Sequence, residues 1–171
     1  MKIIYADPPY LGCGRYYDNK HESSREYDDI EKHMDLIEEL KLQSDLWIYS
    51  CSARTLKKVF LLLPANVRIA SWHKHRQGYS SWEPVIFSDI RPIKGWCDSF
   101  EWRHQNKSGL IGAKPVQFYY WLFQGVGLTA ADTWIEKFPG SYNGEHAYNQ
   151  YLNQSSLFVN HQHQLEAVIN D

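Results

Sequence analysis

The sequence predicts an α/β fold built on a doubly wound and mostly parallel sheet. Short apolar runs, typical of buried strands, alternate along the chain with segments whose apolar residues recur at helical spacing. The chain has 171 residues, 43% of them hydrophobic, which suits one domain with a well-packed core. There is no internal repeat or low-complexity linker. We therefore expect residues 1–171 to form a single domain with a small insert region at about 73–107.

The strands and helices are predicted from these local patterns. Six apolar runs predict strands, at 3–6, 46–51, 67–72, 84–87, 131–138 and 157–159. Helical spacing predicts helices at 27–42, 54–63, 115–124 and about 144–152. The apolar face of the first helix is expected to hold Ile30, Met34, Ile37 and Leu40. Pro84 cannot donate a ladder hydrogen bond, so the fourth strand is expected at a sheet edge.

The predicted site is organised around one turn, Asp7-Pro8-Pro9-Tyr10, which follows the first strand. A residue before proline is pushed out of the helical region, so Asp7 and Pro8 are expected to be extended. Each proline also fixes its own φ and removes an N–H donor. The result is a stiff turn, rich in acceptors, at the carboxyl end of a strand, where ligands bind in open α/β sheets.

This turn suits the chemistry of an exocyclic base amine, whose lone pair is delocalised into the ring. Asp7 and the carbonyl of Pro8 could each accept one amine hydrogen, which would aim the nitrogen lone pair at a methyl donor. Tyr10 could stack on the face of an extruded base. The alternative is that the four residues are only a strand followed by a Pro-Pro turn.

Charge is distributed unevenly along the chain, although the formal net charge is only -2. Acidic residues outnumber basic ones between 22 and 45, and the balance reverses between 68 and 107. Any contact with nucleic acid must therefore come from a local patch. The residues predicted to form this patch are Arg76, Lys94, Arg103 and Lys107. The alternative is ordinary solvated charge.

The cysteines and histidines predict neither disulfides nor a metal site. Cys13, Cys51 and Cys97 are odd in number, far apart and without zinc spacing. The His pairs at 73–75 and 161–163 lack Cys or carboxylate partners at ligand spacing. With no signal peptide and no apolar run long enough to cross a membrane, we expect a cytoplasmic protein.

A second set of residues could bind the methyl donor. The run Phe138-Pro139-Gly140-Ser141 closes a predicted strand and precedes a predicted helix. A small residue at such a bend lets a ligand approach the backbone, and the helix N-terminus offers free N–H groups. Upstream, Lys114 ends the run 109–114 just before a helix start, where it could meet a carboxylate.

Together these motifs resemble the amino-methylating DNA methyltransferases that use S-adenosylmethionine, in the permuted form where Asp-Pro-Pro-Tyr precedes the cofactor-binding half. The chain is especially similar to compact phage-encoded DNA methylases, which would place it in the host cytoplasm. Further matching stretches are 68–72, 82–87, 109–115 and 138–141, so the resemblance extends to about residue 145. It implies a Rossmann-like sheet of the class I methyltransferase type in permuted order. It also implies methylation of adenine N6 in DNA, with base flipping.

The resemblance implies a role for each matching residue. The catalytic turn would be Asp7, Pro8, Pro9 and Tyr10, which hold and stack the target base, and Asp7 would also border the cofactor. The cofactor-binding residues would be Asp7, Lys114, Pro115, Glu136, Phe138, Pro139, Gly140 and Ser141. Among these, Lys114 and Pro115 match the segment that borders the methionine end of S-adenosylmethionine.

Two positions depart from the family's pattern. The cofactor loop usually reads Phe-x-Gly-Ser-Gly, and Tyr142 stands where the last glycine is expected. Tyr142 is costly there if the position needs a positive φ. The next strand often ends with an acid that binds ribose, whereas here Asn160 follows the run 157–159. Only 73–81 and 88–107 could read bases, so a short or loose sequence preference is expected.

The sequence leaves three functions open. The first is methylation of adenine N6 in DNA, and the second is the same chemistry on RNA adenine or on cytosine N4, because both bases carry an exocyclic amine. The third is a catalytically weak, methyltransferase-like protein that binds nucleic acid. Tyr142 and Asn160 favour the third function, and the intact turn at 7–10 opposes it.

Overall fold

The computed structural model describes residues 1–19, 22–75, 80–102 and 112–153. Several predictions concern residues outside these ranges. They are the nucleic-acid contacts of Arg76, Arg103 and Lys107, the segment 109–111, the strand 157–159 and the role of Asn160.

The described part of the chain contains six strands and four helices, which alternate except that β3, β4 and β5 follow one another without a helix between them. The strands are β1 (Lys2–Ala6), β2 (Leu46–Ser50), β3 (Arg68–His73), β4 (Trp82–Phe87), β5 (Ser99–Glu101) and β6 (Thr133–Glu136). The helices are α1 (Ile30–Gln43), α2 (Leu56–Phe60), α3 (Val116–Gly125) and α4, which covers 143–153. Two 3-10 helices, Gly14–Tyr17 and Ser24–Asp28, lie in the polar segment after β1. The α/β class is thereby confirmed.

The strands form one mixed sheet in the order β5-β3-β4-β2-β1-β6. β1 pairs in parallel with β2 and β6, and β3 pairs in parallel with β5. β4 pairs antiparallel with both β2 and β3. Of the six strands in the described residues, five therefore run in one direction and β4 runs in the other.

The prediction that the strand with Pro84 lies at an edge is wrong, because β4 lies between β3 and β2. The pairing explains how an interior strand accepts a proline. The ladder between β4 and β2 extends only to the pair of Val85 with Ser50, so Pro84, the residue preceding Val85, lies just outside it. The carbonyl of Pro84 still accepts from the backbone N of Cys51 at 3.3 Å. The missing N–H of Pro84 therefore falls where the paired part of β2 has ended.

Alternate residues of each strand face opposite helical layers, as the pleat requires. Tyr5 and Ile48 belong to a buried cluster that contains the side chains of α3 and Ala147 of α4. Ile4 and Trp47 belong to a second cluster that contains residues of α1 and α2. The sheet is thus covered on both faces, which accounts for its almost continuously apolar central strands.

Helix α1 begins later than predicted and turns a different face to the core. Its first turn is capped by Asp29, whose side chain accepts from the backbone N of Glu31 at 3.1 Å. The buried positions include His33 and Leu36, whereas Met34 is 45% exposed. The apolar pattern missed His33 because it is a polar residue whose ring nitrogens both have buried oxygen partners.

The region after β4, which has no clear periodicity, packs on α3 and contains the unpredicted strand β5. The Trp96 ring stacks on Trp121 with centroids 5.9 Å apart, and its indole N–H donates to the Trp121 carbonyl at 3.0 Å. At least this part of the aromatic surplus belongs to the core. Among the described residues, no helix combines the length and apolar character that a bilayer crossing requires.

Candidate functional site

The candidate site lies along the sheet edge formed by the carboxyl ends of the five co-directional strands. Asp7 directly follows β1, and Glu136 ends the neighbouring strand β6. Because β4 runs in the opposite direction, its amino-terminal residue Glu83 reaches this same edge. Lys114, two residues before α3, also lies here. The fold therefore gathers three carboxylates and a lysine from four distant parts of the sequence.

Asp7 and Lys114 form a buried ion pair. The Lys114 ammonium is only 3% exposed and lies 2.7 Å from Asp7 Oδ2. It also donates to the Tyr10 hydroxyl oxygen at 3.1 Å. The Tyr10 hydroxyl in turn lies 3.0 Å from Asp7 Oδ1. Both carboxylate oxygens of Asp7 thus have protein partners, so the predicted motif residues hold one another.

Glu83 completes this charge cluster. Its carboxylate is 2% exposed, and its Oε1 atom lies 2.7 Å from Lys114 Nζ and also accepts from Tyr10. Its Oε2 atom pairs with Lys74, which follows β3. Two carboxylates therefore face two ammonium groups. Glu83 and Lys114 are almost fully buried, where unpaired charges would be expensive, whereas Asp7 and Lys74 are 19% and 17% exposed.

The cluster shifts the pKa values of its members in different directions. Burial alone would raise the pKa of Glu83, but Lys114 and Lys74 outweigh it and lower the value to about 2. Burial lowers the pKa of Lys114, but Asp7 and Glu83 more than compensate, and the result lies above the usual range. Burial raises the pKa of Asp7, and Glu83 adds to this, while Lys114 opposes it. The net effect is that the pKa of Asp7 is raised.

A cleft of about 360 Å³ opens beside this cluster, between β1 and β6. Its volume lies in the range of small-molecule sites. Its walls combine the predicted turn, the predicted cofactor loop and several residues that were not predicted. The lining residues are Asp7, Pro9, Tyr17, Gly112, Ala113, Lys114, Tyr119, Glu136, Lys137, Phe138, Pro139, Gly140, Ser141 and Tyr142.

Glu136 presents an unused acceptor beside the cleft. Its Oε1 atom accepts from the Tyr119 hydroxyl at 2.5 Å, while its buried Oε2 atom has no hydrogen-bond partner. Burial raises the pKa of Glu136 to about 7, with the Tyr119 hydrogen bond opposing this. A Cβ on Gly144 would meet Oε2 at 2.0 Å, so a larger residue there would displace the carboxyl group. A ligand donor near Glu136 would satisfy an atom that the protein leaves unpaired.

The loop after β6 has a left-handed backbone at two positions. One of them is Tyr142, which stands where the family pattern has glycine and where a positive φ is costly. Gly140 has φ 46° and Tyr142 has φ 57°. The Tyr142 backbone N donates to the Pro139 carbonyl at 2.7 Å, which closes the turn. The Tyr142 side chain is 62% exposed, so its ring is directed largely to solvent at the rim of the cleft.

The other predicted residues are distributed between the cleft and more distant surfaces. Pro8 is buried behind the turn, and Pro115 caps the start of α3. Lys94 is exposed on a segment bonded to the opposite end of α3, where the Ile93 backbone N donates to the Gln124 carbonyl at 3.0 Å. A helix of 10 residues is about 15 Å long. Lys94 therefore does not lie beside the cleft.

Sequence reasoning missed Glu83, Lys74, Tyr119 and Tyr17 as site residues. The one available signal was Glu83 itself, a charged residue in an otherwise apolar strand. A charged residue in an apolar strand either lies at the end of the strand or is buried against a cation. Nothing local in the sequence indicates that Tyr119, on the apolar helix α3, reaches Glu136.

Among the described residues no group of three or more His, Cys, Asp and Glu side chains could hold a metal ion. The comparisons with known proteins add no identification. Neither protein-family models nor curated proteins gave a match to this chain.

Proposed function

We propose that this protein is an S-adenosylmethionine-dependent methyltransferase that modifies the N6 amine of adenine in DNA. The observation that carries the proposal is the cleft that joins Asp7, after β1, to the loop 138–142, after β6. These are the two motifs that the resemblance assigns to the base and to the methyl donor. The sheet is compatible with a Rossmann-like fold of the class I methyltransferase type in permuted order.

The residues of the cleft fit such a cofactor. The unpaired Oε2 atom of Glu136 offers an acceptor for a hydroxyl or amino group of the ligand. Phe138 and Pro139 provide apolar surface, and Gly140 and Ser141 let a ligand approach the backbone. Bound S-adenosylmethionine would supply an electrophilic methyl group.

Asp7 retains the capacity to bind an amine despite its two partners. A carboxylate has about four lone-pair sites, and Lys114 and Tyr10 use one on each oxygen. One site per oxygen is left, and Asp7 is directed into the cleft. Asp7 and the Pro8 carbonyl would accept the amine hydrogens, and Lys114 and Tyr10 orient the carboxylate before the amine arrives. Preorganised acceptors of this kind favour the positive charge that develops on the nitrogen.

Lys114 acts on Asp7 more directly than the resemblance implied. Its ammonium donates to Asp7, Glu83 and Tyr10, so few of its donors are available to a cofactor carboxylate. Its neighbours Gly112 and Ala113 line the cleft with their backbone. We therefore assign the side chain of Lys114 to Asp7 and its backbone segment to the cofactor.

The choice of adenine in DNA comes from the resemblance. An exocyclic amine is also present in RNA adenine and at N4 of cytosine, and the turn 7–10 accepts all three equally well. A nucleoside product identifies the base directly, so the assay must offer both nucleic acids.

A second candidate is a catalytically weak protein that binds nucleic acid. It is favoured by the positive φ of Tyr142, where the family has glycine, and by the existing bonds of Asp7 to Lys114 and Tyr10. Both features could weaken cofactor binding or base capture without affecting attachment to a nucleic-acid backbone.

The test combines calorimetric titration with S-adenosylmethionine and mass spectrometry of nucleosides from DNA and RNA incubated with the protein. We expect weak but measurable cofactor binding and N6-methyladenine in DNA. Asp7→Asn is the matched variant, which should lose the methylated nucleoside. Absence of cofactor binding at millimolar concentration, together with binding to DNA, would favour the second candidate.

A further inference from the structure

Glu83 occupies an unusual place for a carboxylate. It is the second residue of β4 and pairs in register with Trp72 of β3. The strand is otherwise apolar, and every residue from Glu83 to Phe87 is buried. A carboxylate in this position is tolerated because Lys114 and Lys74 lie against it. No part of the resemblance assigns this side chain a role.

Glu83 and Asp7 share the same two donors. Lys114 Nζ lies 2.7 Å from Asp7 Oδ2 and 2.7 Å from Glu83 Oε1. The Tyr10 hydroxyl lies within bonding distance of Asp7 Oδ1 and of Glu83 Oε1. A hydroxyl has a single proton and can donate it to one carboxylate at a time. The two carboxylates therefore compete for the proton of Tyr10.

Glu83 is also held from a direction that does not involve Asp7. Its Oε2 atom pairs with Lys74, whose ammonium lies 4.9 Å from the centre of the Trp72 ring. Glu83 thus stays ionised and in place whether or not Asp7 changes its partners. Other titratable groups near both carboxylates are Tyr5, Tyr17, Cys51 and Tyr119, and all are neutral near pH 7 because burial raises their pKa values.

We propose that Glu83 is a positioning residue for Asp7. Glu83 accepts the hydrogen bonds of Tyr10 and Lys114 when Asp7 turns its lone pairs to an amine. The proposal rests on the proposed function, because it assumes that Asp7 accepts amine hydrogens. Glu83 lowers the free-energy cost of binding the amine, because Lys114 and Tyr10 already have Glu83 as a second acceptor within reach when they leave Asp7. Without the carboxylate of Glu83, both donors stay committed to Asp7.

The first test separates turnover from binding. Glu83→Gln should lower kcat by about 10- to 100-fold, the loss expected for a hydrogen bond to a charged group, and leave the KM for the methyl donor nearly unchanged. Glu38→Gln is the matched control, because Glu38 pairs with Lys41 on the surface of α1 and is 55% exposed. It should leave kcat unaltered.

The second test needs no methyl transfer. The carboxyl carbon of Asp7 is followed by 13C NMR during a pH titration of wild type, Tyr10→Phe, Glu83→Gln and the double variant. Glu83→Gln should lower the pKa of Asp7, because a neighbouring negative charge is removed and the neutral amide oxygen is a weaker acceptor for Lys114 than the carboxylate. Tyr10→Phe should raise the pKa of Asp7 more in the Glu83→Gln background than in wild type, because the amide oxygen competes less than a carboxylate for the proton of Tyr10.

The outcomes distinguish the two proposals. A wild type that transfers no methyl group would overturn the proposed function, and the titration would still decide whether Glu83 and Asp7 share Tyr10. Equal effects of Tyr10→Phe in both backgrounds would overturn the inference, as would a normal kcat in Glu83→Gln. If Glu83→Gln does not fold, Glu83→Asp takes its place in both tests. Glu83→Asp keeps the negative charge, but its shorter side chain extends less far toward Tyr10. The effect of Tyr10→Phe on the pKa of Asp7 should again be larger in the variant background than in wild type, by a smaller amount.

Discussion

The two walls of the cleft satisfy their polar groups in opposite ways. On the β1 wall, Asp7 and Lys114 line the cleft and bond to Tyr10 and Glu83 behind it. Together with Lys74, which pairs with Glu83, the two carboxylates and two ammonium groups balance in charge. On the β6 wall, Glu136 keeps one buried oxygen unpaired, and the loop 138–142 is partly exposed. One wall is complete without a ligand, and the other has an unused acceptor.

We therefore expect the two walls of the cleft to have different roles. A group that must hold a reacting atom in one geometry benefits from partners that fix it beforehand, as Lys114 and Tyr10 fix Asp7. A wall that binds a whole cofactor gains affinity when ligand groups satisfy atoms that were unpaired. Changes to the β1 wall should therefore affect turnover and folding together. Changes to the β6 wall should mainly affect cofactor affinity and pH dependence.

The largest effect is expected from Asp7→Asn on the β1 wall. Methyl transfer should fall by at least about 10²-fold, the scale of losing one preorganised electrostatic contact in an active site. The free energy of unfolding should fall by about 1–3 kcal/mol, because Lys114 and Tyr10 each lose a charged acceptor but keep Glu83. Rates from a labelled methyl donor and urea unfolding curves measure the two effects.

An effect on stability is expected because Asp7 already has protein partners when no base is bound. Asp98→Asn is the control, because Asp98 pairs with Arg68 on the exposed surface and should change stability by less than about 1 kcal/mol. Turnover in Asp7→Asn close to wild type would remove this wall from the mechanism.

Glu136→Gln tests the unpaired carboxyl group of the β6 wall. The pKa of Glu136 is raised from 4.5 to about 7 in the folded protein, so the folded state binds the proton more tightly than the unfolded chain. The resulting stabilisation is complete below about pH 4.5 and is lost as pH rises to about 7, at most about 3 kcal/mol. The Gln variant should lack this decline.

The measurement is the difference in unfolding free energy between wild type and Glu136→Gln in urea at several pH values. Taking the difference removes the contribution of His33, whose pKa is lowered by burial and whose effect on stability has the opposite sign. Parallel curves for the two proteins would show that folding does not shift the pKa of Glu136.

The contrast between the walls also explains how much the sequence could predict. Asp7, Lys114 and the run 138–141 were predicted and do line one cleft, because a turn after a strand and a loop before a helix are local signals. Glu136, which the resemblance implied, lines the same cleft. Glu83 was not predicted, because its role depends on β4 running backwards through the sheet. Its hydrogen-bond partner Tyr10 is 73 residues away, and no short-range pattern reports such a pairing.

The fold shows the same limit. The strand with Pro84 was recognised as a strand but placed at an edge, because proline is judged by local rules. Its interior position depends on where β2 stops, which is a property of the partner. Likewise, His33 was left out of the core because its burial depends on Tyr49 and the Tyr27 carbonyl.

Tyr142→Gly should have a moderate effect on the β6 wall. Tyr142 has φ 57°, a conformation that costs an L-residue about 1–2 kcal/mol and glycine almost nothing. The free energy of unfolding should rise by about 1 kcal/mol, since the flexibility of glycine in the unfolded chain offsets part of the relief. The affinity for S-adenosylmethionine should rise by less than about tenfold, a difference below 1.4 kcal/mol, because the ring is already directed to solvent.

Tyr142→Ala is the matched control, because it removes the ring but keeps a Cβ in the left-handed conformation. Stabilisation by Gly and not by Ala would assign the effect to the backbone. A similar gain in cofactor affinity from both variants would show that the ring, despite its exposure, obstructs the cleft.

The smallest effect is expected from Lys94, which lies outside both walls. Lys94→Gln should leave the salt dependence of DNA binding unchanged, because Lys94 follows the segment bonded to the far end of α3 from the cleft. Arg103→Gln with Lys107→Gln should make the slope of log K against log salt shallower by about one unit per lost phosphate contact. Fluorescence anisotropy with labelled DNA over a salt series measures both slopes. An equal change for Lys94 would mean that the bound nucleic acid extends past the far end of α3, well beyond either wall of the cleft.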